Sequence, residues 1–385
     1  IGFDQQDAVL SALGNLEGVR VGAGVERLGV PHCVQVSDAL LGQVLDGFGR
    51  PITGDGPSAF AEADAPDASP VLCEAPLPTD RPRINRALAT GVRSIDGLLT
   101  LGEGQRVGLF AGAGCGKTTL LAEIARNVEC DVIVFGLIGE RGRELREFLD
   151  HELDEQLRSK AVLVCATSDR SSMERARAAF TATALAEGFR RKGKRVLLLI
   201  DSLTRFARAQ REIGLAAGEP LGRGGLPPSV YSLLPRLVER AGLTREGVIT
   251  AIYTVLIEQD SMNDPVADEV RSLLDGHIVL SRKLAERGHY PAVDVLASLS
   301  RILSNVAEPD DIRAGTALRR LLSAYQQIEL MLKLGEYQPG SDALTDLAVD
   351  SRQAVDDFLR QDLREPAPLA ATLDQLKELT AYVPF

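Results

Sequence analysis

Cysteine is scarce in this 385-residue chain, and the five cysteines that occur never form a CxxC pair. Scattered thiols of odd number argue against a disulfide framework and against a zinc site. The four histidines also lack the spacing typical of metal ligands. The cysteine pattern therefore favours a protein of a reducing cytosol.

Long apolar runs and an excess of basic residues are also missing. No run approaches the roughly 18–20 residues that a membrane-spanning helix needs, and no charged-then-apolar signal segment opens the chain. The net charge of −11, without interleaved aromatic and basic residues, argues against a surface wrapped by nucleic acid. Because the first residue is Ile1, we expect the natural protein to begin further upstream.

The first segment that is present is short, glycine-punctuated and rich in alternating apolar residues. The runs VRVGAGVERLG and HCVQVSD predict short strands joined by turns. We interpret residues 1–38 as the end of a β domain whose beginning is missing. A loop rich in Gly, Pro, Asp and Ala is expected from Pro51 to Pro82.

From about Arg106, apolar runs alternate with helical text, which predicts a doubly wound α/β domain. Runs that are apolar on both faces are typical of central parallel strands covered by helices. The runs are RVGLFAG, DVIVFGLIG, KAVLVCA, RVLLLID, VITAIYTVLIE and HIVLS. After Ser304 the strands stop and three amphipathic stretches follow. We therefore predict a helical domain over residues 308–385, after an α/β domain over residues 39–307.

The stretch FAGAGCGKTTLL lies between the strand RVGLF and a helical run. Its glycines let successive backbone N–H groups point inward, and the following helix N-terminus adds positive potential. Lys117 can reach the β- and γ-phosphates, and the Thr118 hydroxyl can ligate Mg²⁺. The pattern departs from GxxxxGK[ST] because Ala111 takes the first glycine position. The loop predicts binding of a nucleoside triphosphate.

Three carboxylate positions extend this prediction. Asp201 ends the apolar run VLLLID and is expected to hold Mg²⁺ directly or through water. Glu140, in GERGRE after another strand, is the candidate base that polarises the attacking water. Glu144, four residues further on, is a candidate for the magnesium's water shell.

Several motifs in order resemble the export ATPase of type III secretion systems, a family related to the flagellar export ATPase and the catalytic β subunit of rotary ATP synthases. They are FAGAGCGKTTLL, GERGREL, LLLIDSLTRFARAQREI, GEPLGRGGLPPSVYSLLPRLVERAG and YPAVDVLASLSRI. The resemblance runs from about LLGQVLDGFGRPI to the end of the chain. It implies a RecA-like core between the remnant of an N-terminal β-barrel and a small helical domain.

The resemblance also implies a role for each matching residue. Glu140 matches the catalytic glutamate with Arg141 beside it, and Asp201 matches the Walker B aspartate. Arg301 matches an arginine that enters the adjacent subunit's site, and Tyr290 matches an aromatic residue near the adenine. The phosphate cradle comprises Gly112, Ala113, Gly114, Cys115, Gly116, Lys117, Thr118 and Thr119.

The implied function is Mg²⁺-dependent ATP hydrolysis that unfolds secreted effectors and detaches them from chaperones at the cytoplasmic face of the inner membrane. The implied partners are five further copies of the chain in a hexamer, a coiled-coil stalk, a regulatory stator protein, the secretion apparatus, and chaperone–effector complexes at the helical C-terminal domain. The loop from Ala216 to Pro228 is expected to line the hexamer channel and to contact the stalk. No nucleic-acid partner is expected.

Three alternatives remain open from the sequence. The flagellar export ATPase is the nearest, although GEYQPGSD, with Glu336, favours the virulence branch because flagellar relatives usually carry alanine there. A rotary ATP synthase subunit is disfavoured by the loop FAGAGCGKT and by the lack of an acidic stalk-contact run. An RNA-translocating hexameric helicase shares the core but needs a basic face, which the charge of −11 disfavours.

Overall fold

The computed structural model describes residues 2–4, 7–10, 12, 17–26, 29–52, 54–63, 65, 67–257, 264–340, 342–365 and 367–384. Two units are built from interleaved parts of the chain. The first unit comprises residues 1–83 and 130–274, and the second comprises residues 84–129 and 275–385. Each unit is described by itself below.

A parallel sheet forms the centre of the first unit. Its strands, in spatial order, are Val44–Leu45, Ala161–Ala166, Val132–Ile138, Arg195–Asp201 and Val248–Leu256. Gly242–Leu243 adds an antiparallel pairing to the last of these. The predicted runs DVIVFGLIG, KAVLVCA, RVLLLID and VITAIYTVLIE are confirmed as strands. Almost every residue in them is buried, as expected of parallel strands that are covered on both faces.

Helices connect these strands and begin where polar side chains can cap them. Ser171 accepts a hydrogen bond from the amide of Glu174 at the start of the helix Ser172–Arg191, and Ser202 does the same for Arg205 in the helix Leu203–Ala216. The remaining helical segments of this unit are Asp38–Leu40, Pro78–Asp80, Gly142–Glu147, Phe148–Glu152, Glu155–Ser159, Arg223–Gly225, Pro228–Val238 and Pro265–Leu273.

The second unit contains several short strands and the C-terminal helices. Arg106–Ala111 pairs in parallel with Gly276–Leu280, which pairs antiparallel with Leu299–Ser300. Ala87–Leu88 pairs with Leu101–Gly102. The helices are Arg93–Asp96, Lys117–Asn127, Arg282–Glu286, Leu303–Val306, Pro309–Leu334, Ala343–Asp350, Arg352–Leu359 and Leu369–Thr380. The predicted helical C-terminal region is therefore confirmed, while the domain boundaries near residues 38 and 308 stay a prediction.

The N-terminal region differs from the sequence-based expectation. Gly2–Asp4 pairs with Asp7–Val9, and Cys33–Val34 forms a small antiparallel sheet with Phe60–Ala61 and Ser69–Pro70. The last two strands lie inside the expected loop of residues 51–82. The prediction of strands in VRVGAGVERLG is wrong for residues 19–26. There the amide of Ala23 donates to the carbonyl of Arg20 and closes a turn. Val21 is fully exposed in this turn, so it has no apolar contact that would favour a strand.

Within the part of the chain that the structure describes, no helix has the length and apolar character required to cross a membrane.

Candidate active site

The phosphate loop joins a buried strand to a helix in the second unit. Ala111 ends the strand Arg106–Ala111, and the helix Lys117–Asn127 starts five residues after Gly112. Gly114 and Gly116 both have φ of +80°. This left-handed backbone favours glycine, and it lets the loop curl with its amides at the N-terminus of the helix. The predicted strand–loop–helix context is confirmed.

The side chains of the loop differ in exposure. Lys117 is half-buried at the first helical turn, and Thr118 is exposed beside it. Cys115 is only 2% exposed, and its Sγ lies 4.0 Å from the carbonyl oxygen of Ala113. The Cys115 side chain is therefore buried, whereas those of Lys117 and Thr118 reach solvent at the start of the helix.

A cavity of about 440 Å³ opens beside this loop. Gly114, Cys115, Gly116 and Thr119 line one part of it, and Tyr290 lines another. A Cβ on Gly116 would lie 3.6 Å from the Tyr290 ring, so the ring contacts the start of the phosphate-loop helix. The volume is in the range of small-ligand pockets, and an aromatic wall suits a nucleobase.

The cavity is also lined by residues that no sequence motif identifies as part of the site. They are Gly91, Val92, Leu280, Pro291, Ala292, Gln361, Asp362 and Leu363. The turn at Gly91 is held by Asp96, whose buried carboxylate accepts hydrogen bonds from the amides of Thr90 and Gly91 and from the Thr90 hydroxyl. Burial raises the pKa of Asp96 to about 6, although those hydrogen bonds act in the opposite direction.

Glu140 follows the strand Val132–Ile138 in the first unit and belongs to a small charged cluster. Its Oε2 lies 2.7 Å from Nη1 of Arg205, which also donates to the carbonyl of Gly139 at 2.6 Å. The hydrogen bond between the carboxyl groups of Glu140 and Glu144 lowers the pKa of Glu144, and the charge of Arg141 acts in the same direction. Nη1 of Arg141 lies 3.6 Å from Oε1 of Glu144.

Asp201 ends the neighbouring strand of the same sheet. Leu137 and Asp201 are paired in register between two adjacent parallel strands. Asp201 at the end of one strand and Glu140 just after the end of the other therefore lie at the same carboxyl edge of the sheet. Asp201 is 3% exposed, and its Oδ1 accepts a hydrogen bond from the Thr254 hydroxyl at 2.7 Å. Thr254 fixes the orientation of the carboxylate, and it was not identified from sequence.

Arg301 lies at the opposite edge of its sheet from the phosphate loop. Its amide donates to the carbonyl of Asp275 at 2.9 Å, and the Asp275 carboxylate in turn binds the Arg106 side chain. Arg106 begins the strand whose last residue, Ala111, leads into the loop. At about 3.3 Å per residue, that strand separates its two ends by roughly 16 Å. This distance is well beyond the reach of an arginine side chain.

The side chains of the described residues determine how Mg²⁺ could be held. No group of three or more His, Cys, Asp or Glu side chains among the described residues is arranged to hold a metal ion. Mg²⁺ commonly keeps several waters and is bound through one or two protein oxygens together with substrate phosphates. The exposed Thr118 hydroxyl at the phosphate loop fits that mode of binding.

Comparison with known families covers most of the chain. Residues 91–300 match the model for the nucleotide-binding domain of the ATP synthase alpha/beta family. Residues 307–378 match the model for the T3SS EscN ATPase C-terminal domain. The matches cover the phosphate loop, the carboxylate cluster, Tyr290 and the C-terminal helices.

Individual relatives agree with these matches. A "Type 3 secretion system ATPase" of Pseudomonas syringae pv. tomato is 70% identical over 385 residues, which cover 100% of this chain and 86% of the relative. A "Flagellum-specific ATP synthase" of Bacillus subtilis is 45% identical over 380 residues, covering 99% of this chain and 86% of the relative. The solved structure of the assembled ATPase EscN in complex with its central stalk EscO, from enteropathogenic E. coli, is similar with a TM-score of 0.83 at 47% identity. The similarity covers 90% of this chain and 83% of that one.

Proposed function

This chain belongs to the family of type 3 secretion system ATPases, and from that premise we propose how its residues bind and hydrolyse ATP and what the hydrolysis drives. The proposal rests on one observation above all. The phosphate loop, with Lys117 at the helix start, borders a cavity of nucleotide size whose wall includes the Tyr290 ring.

Nucleotide binding is assigned to the second unit. The backbone amides of residues 112–119 and the Lys117 ammonium bind the phosphates, and the helix N-terminus adds favourable potential. The Thr118 hydroxyl ligates Mg²⁺, which the substrate brings with its phosphates and which neutralises charge on them. The nucleobase stacks on Tyr290 inside the apolar part of the cavity.

The hydrolytic step is assigned to Glu140 and the charged residues near it. Glu140 accepts a proton from the attacking water, and Arg205 holds the carboxylate in place through the 2.7 Å contact. Asp201, whose carboxylate accepts a hydrogen bond from Thr254, would hold Mg²⁺ directly or through water, and Glu144 would join the water shell of the ion. Arg141 balances the negative charge of the cluster.

A second cation for the transition state comes from Arg301 of an adjacent copy of the chain. The backbone of Arg301 lies near the Arg106 end of the strand Arg106–Ala111, which is roughly 16 Å long. The other end of that strand leads into the phosphate loop of the same chain. Because Arg301 does not reach its own phosphate loop, we assign it to the site of the adjacent copy in a ring. A homo-hexamer supplies such a neighbour at every interface.

The proposed role of hydrolysis is to unfold effectors and release them from chaperones for export, at the cytoplasmic face of the inner membrane. A coiled-coil stalk passes through the ring, as the central stalk named with the EscN relative suggests. The loop of residues 216–228 faces this stalk. Chaperone–effector complexes dock on the C-terminal helices, and a stator protein regulates assembly with the secretion apparatus.

Two variants test the site. Lys117→Ala removes the phosphate contact, so both ATP binding and hydrolysis are expected to fall. Glu140→Gln leaves the phosphate loop intact, so ATP binding should persist while turnover is lost. Equilibrium binding of a fluorescent ATP analogue and steady-state phosphate release measure the two quantities. Equal loss of binding in both variants would contradict the division of roles.

A further inference from the structure

Three segments of the second unit meet around the cavity beside the phosphate loop. They are the turn at Gly91 and Val92, the pair Tyr290 and Pro291, and residues 361–363. These segments are far apart in sequence, so some contact must hold them in one arrangement. Gln361 makes hydrogen bonds with the first two segments and with its own.

The hydrogen bonds of Gln361 use both its backbone and its side chain. Its amide donates to the carbonyl of Tyr290 at 3.0 Å. Its Nε2 donates to the carbonyls of Gly91 at 2.7 Å and Glu365 at 2.9 Å. Its Oε1 accepts from the amide of Arg93 at 2.9 Å. Because both hydrogens of Nε2 are used within the protein, the side-chain amide acts on the cavity through its neighbours.

Three further contacts fix the segment that carries Gln361. Arg93 donates from Nε to the carbonyl of Phe358 at 2.9 Å and forms an ion pair with Glu365. Glu123, on the helix that starts at Lys117, accepts from the amide of Arg364 at 3.1 Å. The segment is therefore held against both the Gly91 turn and the phosphate-loop helix.

We propose that Gln361 is a positioning residue for the nucleobase: its side-chain amide holds the Gly91 turn, and its backbone amide holds the Tyr290 carbonyl, at the separation that a base needs. This inference rests on the proposed binding of ATP at the phosphate loop. If Gln361 has this role, its loss should weaken binding of the base and leave binding of the phosphates unchanged. Loss of the Gln361 side-chain amide releases the Gly91 turn that encloses the base, while the backbone bond to Tyr290 and the phosphate-binding backbone of residues 112–119 stay in place.

The test compares ATP with inorganic tripolyphosphate, which carries the phosphates without a base. Binding of both to the full chain is measured by calorimetry in the presence of Mg²⁺. In Gln361→Ala the Kd for ATP is expected to rise about tenfold, since the three side-chain hydrogen bonds that order the wall are lost. The Kd for tripolyphosphate should stay within about twofold. KM for ATP should rise with the Kd while kcat changes little.

Two further variants make the outcome specific. Gln361→Met fills the same volume without hydrogen bonds, so it should reproduce the effect if the bonds matter and restore ATP binding if volume alone matters. Gln353→Ala is the matched control, because Gln353 is exposed on the helix Arg352–Leu359 and its Nε2 donates to Asp357 in the same helix. Melting temperatures confirm that each variant is folded.

The results separate this inference from the proposed function. Unchanged ATP affinity in Gln361→Ala, equal weakening of ATP and tripolyphosphate, or full recovery in Gln361→Met would each overturn the positioning role. Lys117→Ala provides the independent arm, since it should weaken both ligands. If Lys117→Ala weakens neither, the assignment of the phosphate loop fails, whatever Gln361 does.

Discussion

The Arg205 guanidinium holds the Glu140 carboxylate at 2.7 Å while it donates to the carbonyl of the preceding residue, Gly139, at 2.6 Å. The same nitrogen therefore fixes both the backbone and the side chain of the proposed catalytic base. Gly139 has φ of +68°, and a Cβ there would lie 3.0 Å from the Arg205 side chain. The close approach of arginine and backbone requires glycine before Glu140.

Replacing Arg205 with alanine should therefore lower turnover without a comparable loss of ATP binding. A base that is displaced by about 1 Å commonly reduces the rate by about a hundredfold. We expect a loss of this order in kcat, measured by phosphate release, with the Kd for ATP within about threefold. Arg208→Ala, an exposed position on the same helix, is the control. Turnover near the wild-type value in Arg205→Ala would show that Glu140 is positioned by other contacts.

Gly116 is the second position at which backbone geometry makes a sharp prediction. Its φ of +80° disfavours any side chain by about 1–2 kcal/mol, and a new Cβ would meet the Tyr290 ring at 3.6 Å. Gly116→Ala should lower the free energy of unfolding by about that amount and weaken ATP binding. Gly142→Ala is the control, since no atom lies within 4 Å of its Cβ position and its φ is ordinary. Urea unfolding and analogue binding measure both effects.

The buried carboxyl of Asp96 predicts how the free energy of unfolding depends on pH. Its pKa is raised from 3.8 to about 6 because the carboxyl is buried beneath the Gly91 turn. The folded state therefore binds more protons than the unfolded state between these values. Stability contributed by Asp96 must fall as pH rises through this window, by about 3 kcal/mol in total, and level off above pH 6.

The measurement compares urea unfolding of the wild type and Asp96→Asn between about pH 4 and pH 7. The variant should lack this slope, so the difference in unfolding free energy between the two proteins should change by about 3 kcal/mol across the window. Asp374→Asn, at an exposed carboxyl of the last helix, serves as the control. Parallel pH curves for wild type and Asp96→Asn would mean that the buried carboxyl does not titrate differently on folding.

Sequence alone predicts those parts of the site whose signals are local. The phosphate loop is contiguous, and the apolar runs before Glu140 and Asp201 identify strand ends, so both carboxylates could be placed at the sheet edge. The contacts of Arg205 and Gln361 could not be predicted in this way. Gln361 binds Gly91 across 270 residues, and no periodicity records such a pairing.

The errors in the fold have a related cause. Alternation in VRVGAGV resembles a strand, yet a strand also needs a partner, and Val21 remains fully exposed in a turn. Phe60–Ala61 and Ser69–Pro70 are each two residues long, too short for any alternation to be visible. Their pairing with Cys33–Val34 is decided by tertiary contacts rather than by local propensity.

Arg301 separates a self-sufficient ATPase from one whose sites are shared between subunits. Its backbone is tied to Asp275 at the amino edge of the strands, and the phosphate loop starts at the carboxyl edge. Arginine fingers contribute roughly 10³–10⁵ in rate in phosphoryl-transfer enzymes. Arg301→Ala should therefore lose turnover by orders of magnitude while its ATP binding changes little.

Mixing Arg301→Ala with Glu140→Gln chains, each inactive alone, decides between the two arrangements. In a mixed ring some interfaces pair an intact Glu140 with an intact Arg301 from the neighbouring chain. If the arginine acts in trans, part of the activity should return, and the recovered fraction should follow the mixing ratio. If the arginine acted within its own chain, every site would lack one of the two groups. Rings shown by mass spectrometry to be mixed, yet without recovered activity, would therefore assign Arg301 a structural role at its own sheet edge.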